Sequence, residues 1–379
     1  MKYRELGKTG LSVSEIALGC EGFAGKTDSQ ADELLSFAAD KGMNYMDMYT
    51  ADPAVRTVVG RNNHGRFHIQ GHLCSVWQDG QYKRIRDLRQ VKQGFSVLMD
   101  ELQLSFLDVG MIHYCDSLAD WQVIVDNGIL DYALELKKKG VIGHIGLSSH
   151  NPVAAMRAVE SGSVEVLMFS VNPCYDLQPP SEDVENLWAE SAYEHVLYNM
   201  DPERQKLYEA CARAGIGISV MKVYAGGDLL DASLSPAGIA LTPVQCLHYA
   251  LTRPAVATIM CGAHSVEELA GAVAYEDASD AQKDYAASFA SMSRIHWEGH
   301  CMYCGHCAPC PVGIDVAQVT KYLNLCKAQG TVPETVREHY ATLANHASSC
   351  IGCGACEKRC PFKVSVRENM KQASAVFGF

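Results

Sequence analysis

Short apolar runs recur along most of the chain, at IALGC (16–20), NYMDM (44–48), FHIQGHL (67–73) and VGMIHY (109–114). The series continues with IGHIGLS (142–148), VLMFSVN (166–172), ISVMKV (218–223) and ATIMCG (257–262). Each has the length of a strand buried on both faces. Between them lie stretches such as ADELLSFAADKG, RDLRQVKQGFSVLMDELQL and DYALELKKKG, whose apolar residues return every three or four positions. That is the helical period. Eight strands, each followed by a helix, over about 250 residues predict a (β/α)8 TIM barrel. An open doubly wound sheet also alternates, but it usually carries a Gly-rich fingerprint after its first strand. Here that turn reads GCEGFAGKT, and Cys20 stands where a Walker loop needs its first Gly.

One connection is abnormally long. From Asn172 to Asp201 the chain reads NPCYDLQPPSEDVENLWAESAYEHVLYNMD before a helix resumes. It follows the sixth strand, on the face where barrel active sites sit. Trp188, Tyr193 and Tyr198 are expected either to cover a substrate or to pack an inserted surface helix.

Composition adds one anomaly to this picture. The 379 residues carry a formal charge of −12, which argues against nucleic acid as the main partner. No run of 18 apolar residues exists, and the opening MKYRELGKTG lacks the apolar run of a signal peptide. A protein of the cytoplasm, without a membrane span, is expected. Yet the chain holds 16 Cys, a count better explained by metal ligation than by disulfides in such a compartment.

Eight of those cysteines follow residue 300, in CMYCGHCAPCP and CIGCGACEKRCP. The second group is C-x2-C-x2-C-x3-C-P, the bacterial spacing for [4Fe–4S] ligation in which the fourth Cys serves the other cluster. The first is one residue shorter before its last Cys. The expected assignment is Cys301, Cys304, Cys307 and Cys360 to one [4Fe–4S] cluster, and Cys350, Cys353, Cys356 and Cys310 to the other. Zinc is the competing reading of C-x2-C pairs. Two such clusters form an electron wire able to supply both electrons of a two-electron reduction; a purely structural role is the alternative. The domain boundary is expected between Arg294 and Gly299, giving a barrel over 1–295 and a ferredoxin-like domain over 296–379.

A barrel with this tail resembles the aldo/keto reductase family, specifically its iron–sulfur branch. The opening YRELGKTGLSVSEIALG, the GISVMK strand and the CGAHSVEEL segment look like that family's landmarks, and the resemblance covers nearly the whole chain. It implies carbonyl reduction with NAD(P)H by an Asp, a Tyr, a Lys and a His. Asp47 matches the Asp and His113 the His. Asp52 stands where the Tyr should be, with Tyr49 three residues away, and His72 replaces the Lys. The family's Gln for the nicotinamide carboxamide aligns with Met168, and no cation for a 2′-phosphate is evident near His264. Ser148 fits a carboxamide contact, and Gly262 to Ser265 fit a phosphate-binding turn.

The predicted strand ends bring Cys20, Cys74, Cys115, Cys174 and Cys261 to the barrel mouth, with Asp47, His72, His113, His150 and, just beyond, His264. Such soft ligands suit an extra metal, with Cys20, Cys74, Cys174 and Cys261 as the candidate set. Equally, free Cys packs as a small buried hydrophobe. Cys211, Cys246 and Cys326 lie in helical patterns and read as core. Lys83, Arg84, Arg86 and Arg89 beside the mouth read either as an anion site or as a solvated face, and Tyr82 with Lys83 as replacements for the missing Tyr and Lys. The expected function is an iron–sulfur oxidoreductase acting on a small polar, even anionic, molecule. Asp47, His72, His113 and Asp52 would be its catalytic groups, and ferredoxin or flavodoxin its redox partner. The alternatives are an NAD(P)H carbonyl reductase with auxiliary clusters, a metal-dependent lyase or hydratase, and a non-catalytic electron carrier. The oligomeric state is not legible.

Overall fold

The computed structural model describes every residue except 194–196, 291–294, 297–298, 300 and 379, and no side chain at 190, 197, 198, 295, 296, 328 or 329. Eight parallel strands close into a barrel. In chain order they are Ile16–Leu18, Tyr45–Met48, His68–Leu73, Leu107–Ile112, Ile142–Ser149, Val166–Ser170, Gly217–Met221 and Val256–Cys261. Every one falls within two residues of a predicted apolar run. The helices between them start at side-chain caps: Thr27, Asp52, Asp87, Ser117, Asn151, Asp201, Thr242 and Ser265 each accept a bond from an N–H of the helix's first turn. A short polar residue there satisfies one of the donors that a helix start leaves open.

The bottom of the barrel is sealed by a hairpin the apolar pattern did not announce, Tyr3–Glu5 with Ser12–Ser14. Its Leu6 and Val13 enter the barrel interior beside Ala17, Tyr45, Val109, Met111, Val166 and Met168. Gly7 has φ +59°, and any Cβ there would collide with the Gly215 carbonyl, so the turn seats directly on the barrel floor. With the floor closed, polar groups placed inside the barrel can meet solvent or substrate only at the mouth.

A second hairpin, Ser75–Gln78 with Gln81–Arg84, projects from the third strand. Its turn is Asp79-Gly80, with φ +56° and +73°, the Asp-Gly signature of a two-residue hairpin.

Among its described residues, the long connection after the sixth strand holds three short 3₁₀ turns, Tyr175–Leu177, Val184–Leu187 and Glu190–Tyr193. Tyr193 is buried and donates to the Leu187 carbonyl (2.6 Å), whereas Trp188 is 41% exposed. The Tyr198 side chain lies outside the described residues. The base of this loop is held by Asp176. Its carboxylate, fully buried, accepts from Tyr208 (2.5 Å), Tyr249 (2.7 Å) and Arg204 (3.4 Å), and its carbonyl accepts from Asp201 N–H (2.7 Å).

The tail contributes the helices Val316–Gln329, Glu334–Ala341, Ala355–Arg359 and Val366–Phe377. It packs on the barrel flank. Arg253 and Tyr285 both donate to the Met302 carbonyl, at 2.8 and 2.6 Å. The expected boundary between 295 and 296 falls inside the short strand Ile295–His296, which pairs with Leu197–Tyr198 of the long loop. Residue 294, at the expected edge, lies outside the described residues. Among the described residues, no helix is long and apolar enough to cross a membrane.

Candidate active site and iron–sulfur site

Strand alternation puts Tyr45 and Asp47 on one inward face and Gln70 and His72 on the next. Asp47 and Gln70 are direct neighbours in register. The side chains form one chain of hydrogen bonds. Tyr45 donates to the Gln70 carbonyl (3.0 Å), and the Gln70 amide donates to Asp47 Oδ1 (2.7 Å). The same oxygen lies 2.9 Å from His72 Nε2, and His72 Nδ1 lies 2.6 Å from His113 Nδ1. His72 and Asp47 are 1% exposed and His113 7%. A carboxylate with two such neighbours can only accept, so His72 Nε2 carries a proton. The structure therefore brings together three of the four expected catalytic residues. Asp52 stays apart, capping the helix Pro53–Asn63 through the Ala54 N–H.

Aromatic rings wall in the outer end of this relay. Tyr49 stacks against His113 with centroids 6.4 Å apart, and Tyr82 and Tyr114 meet it edge-on at 5.4 Å each. Tyr82 arrives on the Asp79-Gly80 hairpin, while its neighbour Lys83 turns away to Asp79 (2.8 Å). Alternation within a strand separates the two, so they do not jointly replace the missing Tyr and Lys. Burial, then His72 and the guanidinium of Arg86, holds His113 well below the usual imidazole range. Burial pushes the Tyr49 and Tyr82 phenols up, so neither is a ready acid.

The basic cluster is not a free anion site. Arg84 and Arg86 both bind Asp120, at 3.3 and 2.6 Å, and Arg86 also clamps the His113 and Tyr114 carbonyls at 2.7 and 2.8 Å. Arg89 is exposed on the helix Leu88–Glu101.

Cys20, Cys74, Cys115, Cys174 and Cys261 are all buried. Burial pushes the Cys74 thiol up to about 11 and those of Cys115, Cys174 and Cys261 up to about 12, and it raises Cys20 well above the thiol range. Among the described residues, no three His, Cys, Asp or Glu side chains converge as a single metal ion requires. Cys211, Cys246 and Cys326 are buried, as anticipated.

The nicotinamide-cofactor residues fit poorly. The Ser148 hydroxyl is buried without a partner, but Met168, in the place of the amide, takes the Gln70 amide on its sulfur (3.4 Å). At the phosphate turn, Glu21 Oε2 lies so close to Gly262 that a Cβ there would meet it at 2.5 Å. Ser265 caps its own helix, and the His264 N–H is taken by Glu268 (2.8 Å). A carboxylate lying on the glycine that should cradle a phosphate repels one.

In the tail, Cys301 has Cys304, Cys307 and Cys360 beside it, and burial together with these thiols pushes it up to about 12. Cys360 reaches this group because Arg359 donates to the Cys307, Pro309 and His306 carbonyls, tying the second cysteine segment to the first loop. Cys350 in turn neighbours Cys356. A cubane spreads its thiolates around several iron atoms, so gathering of this kind, rather than tight single-ion convergence, is what it needs.

Comparison with known proteins matches this division. The barrel has the aldo-keto reductase fold, and residues 346–364 match the family model of a 4Fe-4S binding domain. An aldo-keto reductase from Bacillus halodurans in its holo form superposes with a TM-score of 0.57 at 20% identity, over 74% of this chain and 92% of the other. A Pseudomonas aeruginosa protein regarded as an aldo-keto reductase superposes with 0.55 at 21% identity, over 72% and 94%. The chain thus joins an aldo-keto-reductase-type barrel to a 4Fe-4S binding domain. In sequence it is 24% identical, over 286 residues, to an uncharacterized oxidoreductase, YqkF, of Bacillus subtilis strain 168. That alignment covers 71% of this chain and 89% of the relative.

Tyr45, Gln70 and Glu21 were missed by sequence reasoning. Tyr45 and Gln70 each lie two residues before a recognised site residue, the strand period that puts them on the same face. Glu21 had no such signal.

Proposed function

We propose that this chain is an iron–sulfur oxidoreductase whose barrel handles protons through Asp47, His72 and His113. Cys301, Cys304, Cys307 and Cys360 would hold one [4Fe–4S] cluster, and Cys350, Cys353, Cys356 and Cys310 the other. Such clusters supply single electrons at low potential. Cys353 is exposed and Ile351 is 67% exposed, a face suited to a ferredoxin- or flavodoxin-like carrier. The oxidoreductase relative supports the reaction class.

The observation that carries the reading is the 2.6 Å contact between the two Nδ1 atoms of His72 and His113. One nitrogen must donate and the other accept. With His72 Nε2–H on Asp47, the neutral arrangement has His113 Nδ1–H donating to His72 Nδ1. That leaves the lone pair of His113 Nε2 facing a substrate. A proton taken up there moves the Nδ1 proton across to His72, and the positive charge comes to rest beside the Asp47 carboxylate. The reverse movement delivers a proton to a carbonyl oxygen of a small polar substrate. Tyr49, Tyr82 and Tyr114 keep bulk water off the exchanging nitrogen.

The test is reoxidation of the anaerobically reduced protein by a panel of small aldehydes, ketones and 2-oxo acids, followed by cluster absorbance. His113→Ala is expected to slow the responsive reaction at least about 100-fold with iron content unchanged. An equally fast reaction in that variant would refute the relay.

A further inference from the structure

The cavity between the barrel flank and the first cysteine loop encloses about 1250 Å³ and is lined by Cys304, Cys307 and Cys310. Behind its inner wall lies a buried cation. Arg253, a barrel residue 1% exposed, reaches into the loop, with Nη2 on the Met302 carbonyl and its guanidinium 5.4 Å from the Tyr303 ring. Its Nη1 is buried and has no hydrogen-bond partner. Lys321, on the tail helix Val316–Gln329, lines the same cavity and makes no hydrogen bond or ion pair among the described residues. Burial, with Arg253 and Arg4 beside it, pulls its ammonium down to about 8.

The acids in that wall are mostly engaged elsewhere. Asp284 holds His306 (2.8 Å), and Asp315 caps its own helix at Gln318. Of the other lining cations, Arg4 is paired with Glu15 (2.6 Å) and Lys283 lies over the Tyr275 ring (4.4 Å). Asp280 is the remaining carboxylate of the lining. The Asp176 carboxylate acts on Arg253, but one guanidinium N–H is left without an acceptor, and Lys321 has no anionic partner among the described residues, so both are costly to bury as they stand. Four thiolates around an iron–sulfur core supply that anion.

We propose that Arg253 and Lys321 are a cationic clamp on the cluster held by Cys301, Cys304, Cys307 and Cys360, raising its potential above that of the cluster at Cys350, Cys353 and Cys356. The inference rests on the cluster assignment above. Added electron density is stabilised by nearby positive charge and by N–H donors, so the inner position becomes the electron sink of the pair. The outer loop faces solvent, where charge is screened. The chain thus gives the wire a direction, from the exposed surface toward the barrel.

A potentiometric titration of the full-length holoprotein, followed by EPR, tests this. The probe variant is Lys321→Met, because Arg253 also anchors the loop. One unit charge about 10 Å away at an effective dielectric of about 20 changes a one-electron equilibrium roughly tenfold. That is about 59 mV for a single electron. The higher-potential wave should fall by this amount in Lys321→Met, return in Lys321→Arg, and leave the lower wave in place. Two intact waves with neither moved would overturn the clamp, as would movement of the lower wave alone. Absence of any reducible cluster in the wild type would instead overturn the cluster assignment itself.

Discussion

Replacing Asp176 by Asn probes how the loop over the mouth is held. The wild-type carboxylate is fully buried and accepts from Arg204, Tyr208 and Tyr249. Arg204 is itself 1% exposed and also donates to the Ser170 and His150 carbonyls. Asn keeps one acceptor oxygen but removes the charge, leaving the guanidinium buried without an anion. Removing one partner of a buried pair costs about 3–5 kcal/mol, and the retained oxygen places Asp176→Asn at the lower end, about 3 kcal/mol. A cooperative unit of roughly 290 residues unfolds with about 0.6 kcal/mol per kelvin of entropy, so Tm should fall by about 5 °C. Tyr208→Phe and Tyr249→Phe, each losing one donor to the carboxylate, should cost about 2 kcal/mol apiece. Scanning calorimetry on the three variants checks the ranking. A fall under about 1 °C for Asp176→Asn, or a larger one for either Tyr variant, would refute the view that the charge pair holds the loop.

The remaining predictions concern protons, thiols and cofactor. Burial, with Lys283 and Arg253 nearby, lowers His248 to about 4. An imidazole whose folded value lies below its unfolded one stabilises the protein above pH about 6.5 and loses that contribution as pH falls toward 4. Urea midpoints at pH 7.5 and 5.0 should therefore show about 2 kcal/mol of acid destabilisation that His248→Gln removes; identical pH dependence in the variant would contradict this. Cys20, Cys74, Cys115, Cys174 and Cys261 should resist iodoacetamide in the native protein, read by peptide mass spectrometry, because burial keeps them as thiols. Rapid modification of any of them would restore the case for a reactive mouth. NADPH should give no saturable fluorescence change at micromolar concentrations, and tight binding would show that Glu21 yields its place at Gly262.

The barrel was legible because its strands are buried on both faces and read as unbroken apolar runs. The inner hydrogen-bond chain was half legible. Asp47, His72 and His113 sit at strand ends, where position alone marks them, whereas Tyr45 and Gln70 lie deeper and carry no turn signal. The hairpin that brings Tyr82 to His113 was announced by Asp79-Gly80, flanked by a polar run that hid it from an apolar search. The cysteines divide for a different reason. Spacing identifies ligands that share a loop, but it says nothing of thiols scattered over separate strand ends. That Cys20, Cys74, Cys174 and Cys261 are all buried is visible only in the fold. The arginines beside the mouth misled in the same way, because Asp120, their partner, follows some thirty residues later.

The central claim is that the tail cysteines hold two redox-active clusters serving a barrel without a metal of its own. Iron and sulfide analysis after strictly anaerobic purification, with EPR of the reduced protein, tests it most directly. About eight iron and eight sulfide per chain, with the signals of two interacting [4Fe–4S]⁺ centres, is the predicted result. Fewer than about four iron, zinc in its place, or a clear metal excess would contradict the account.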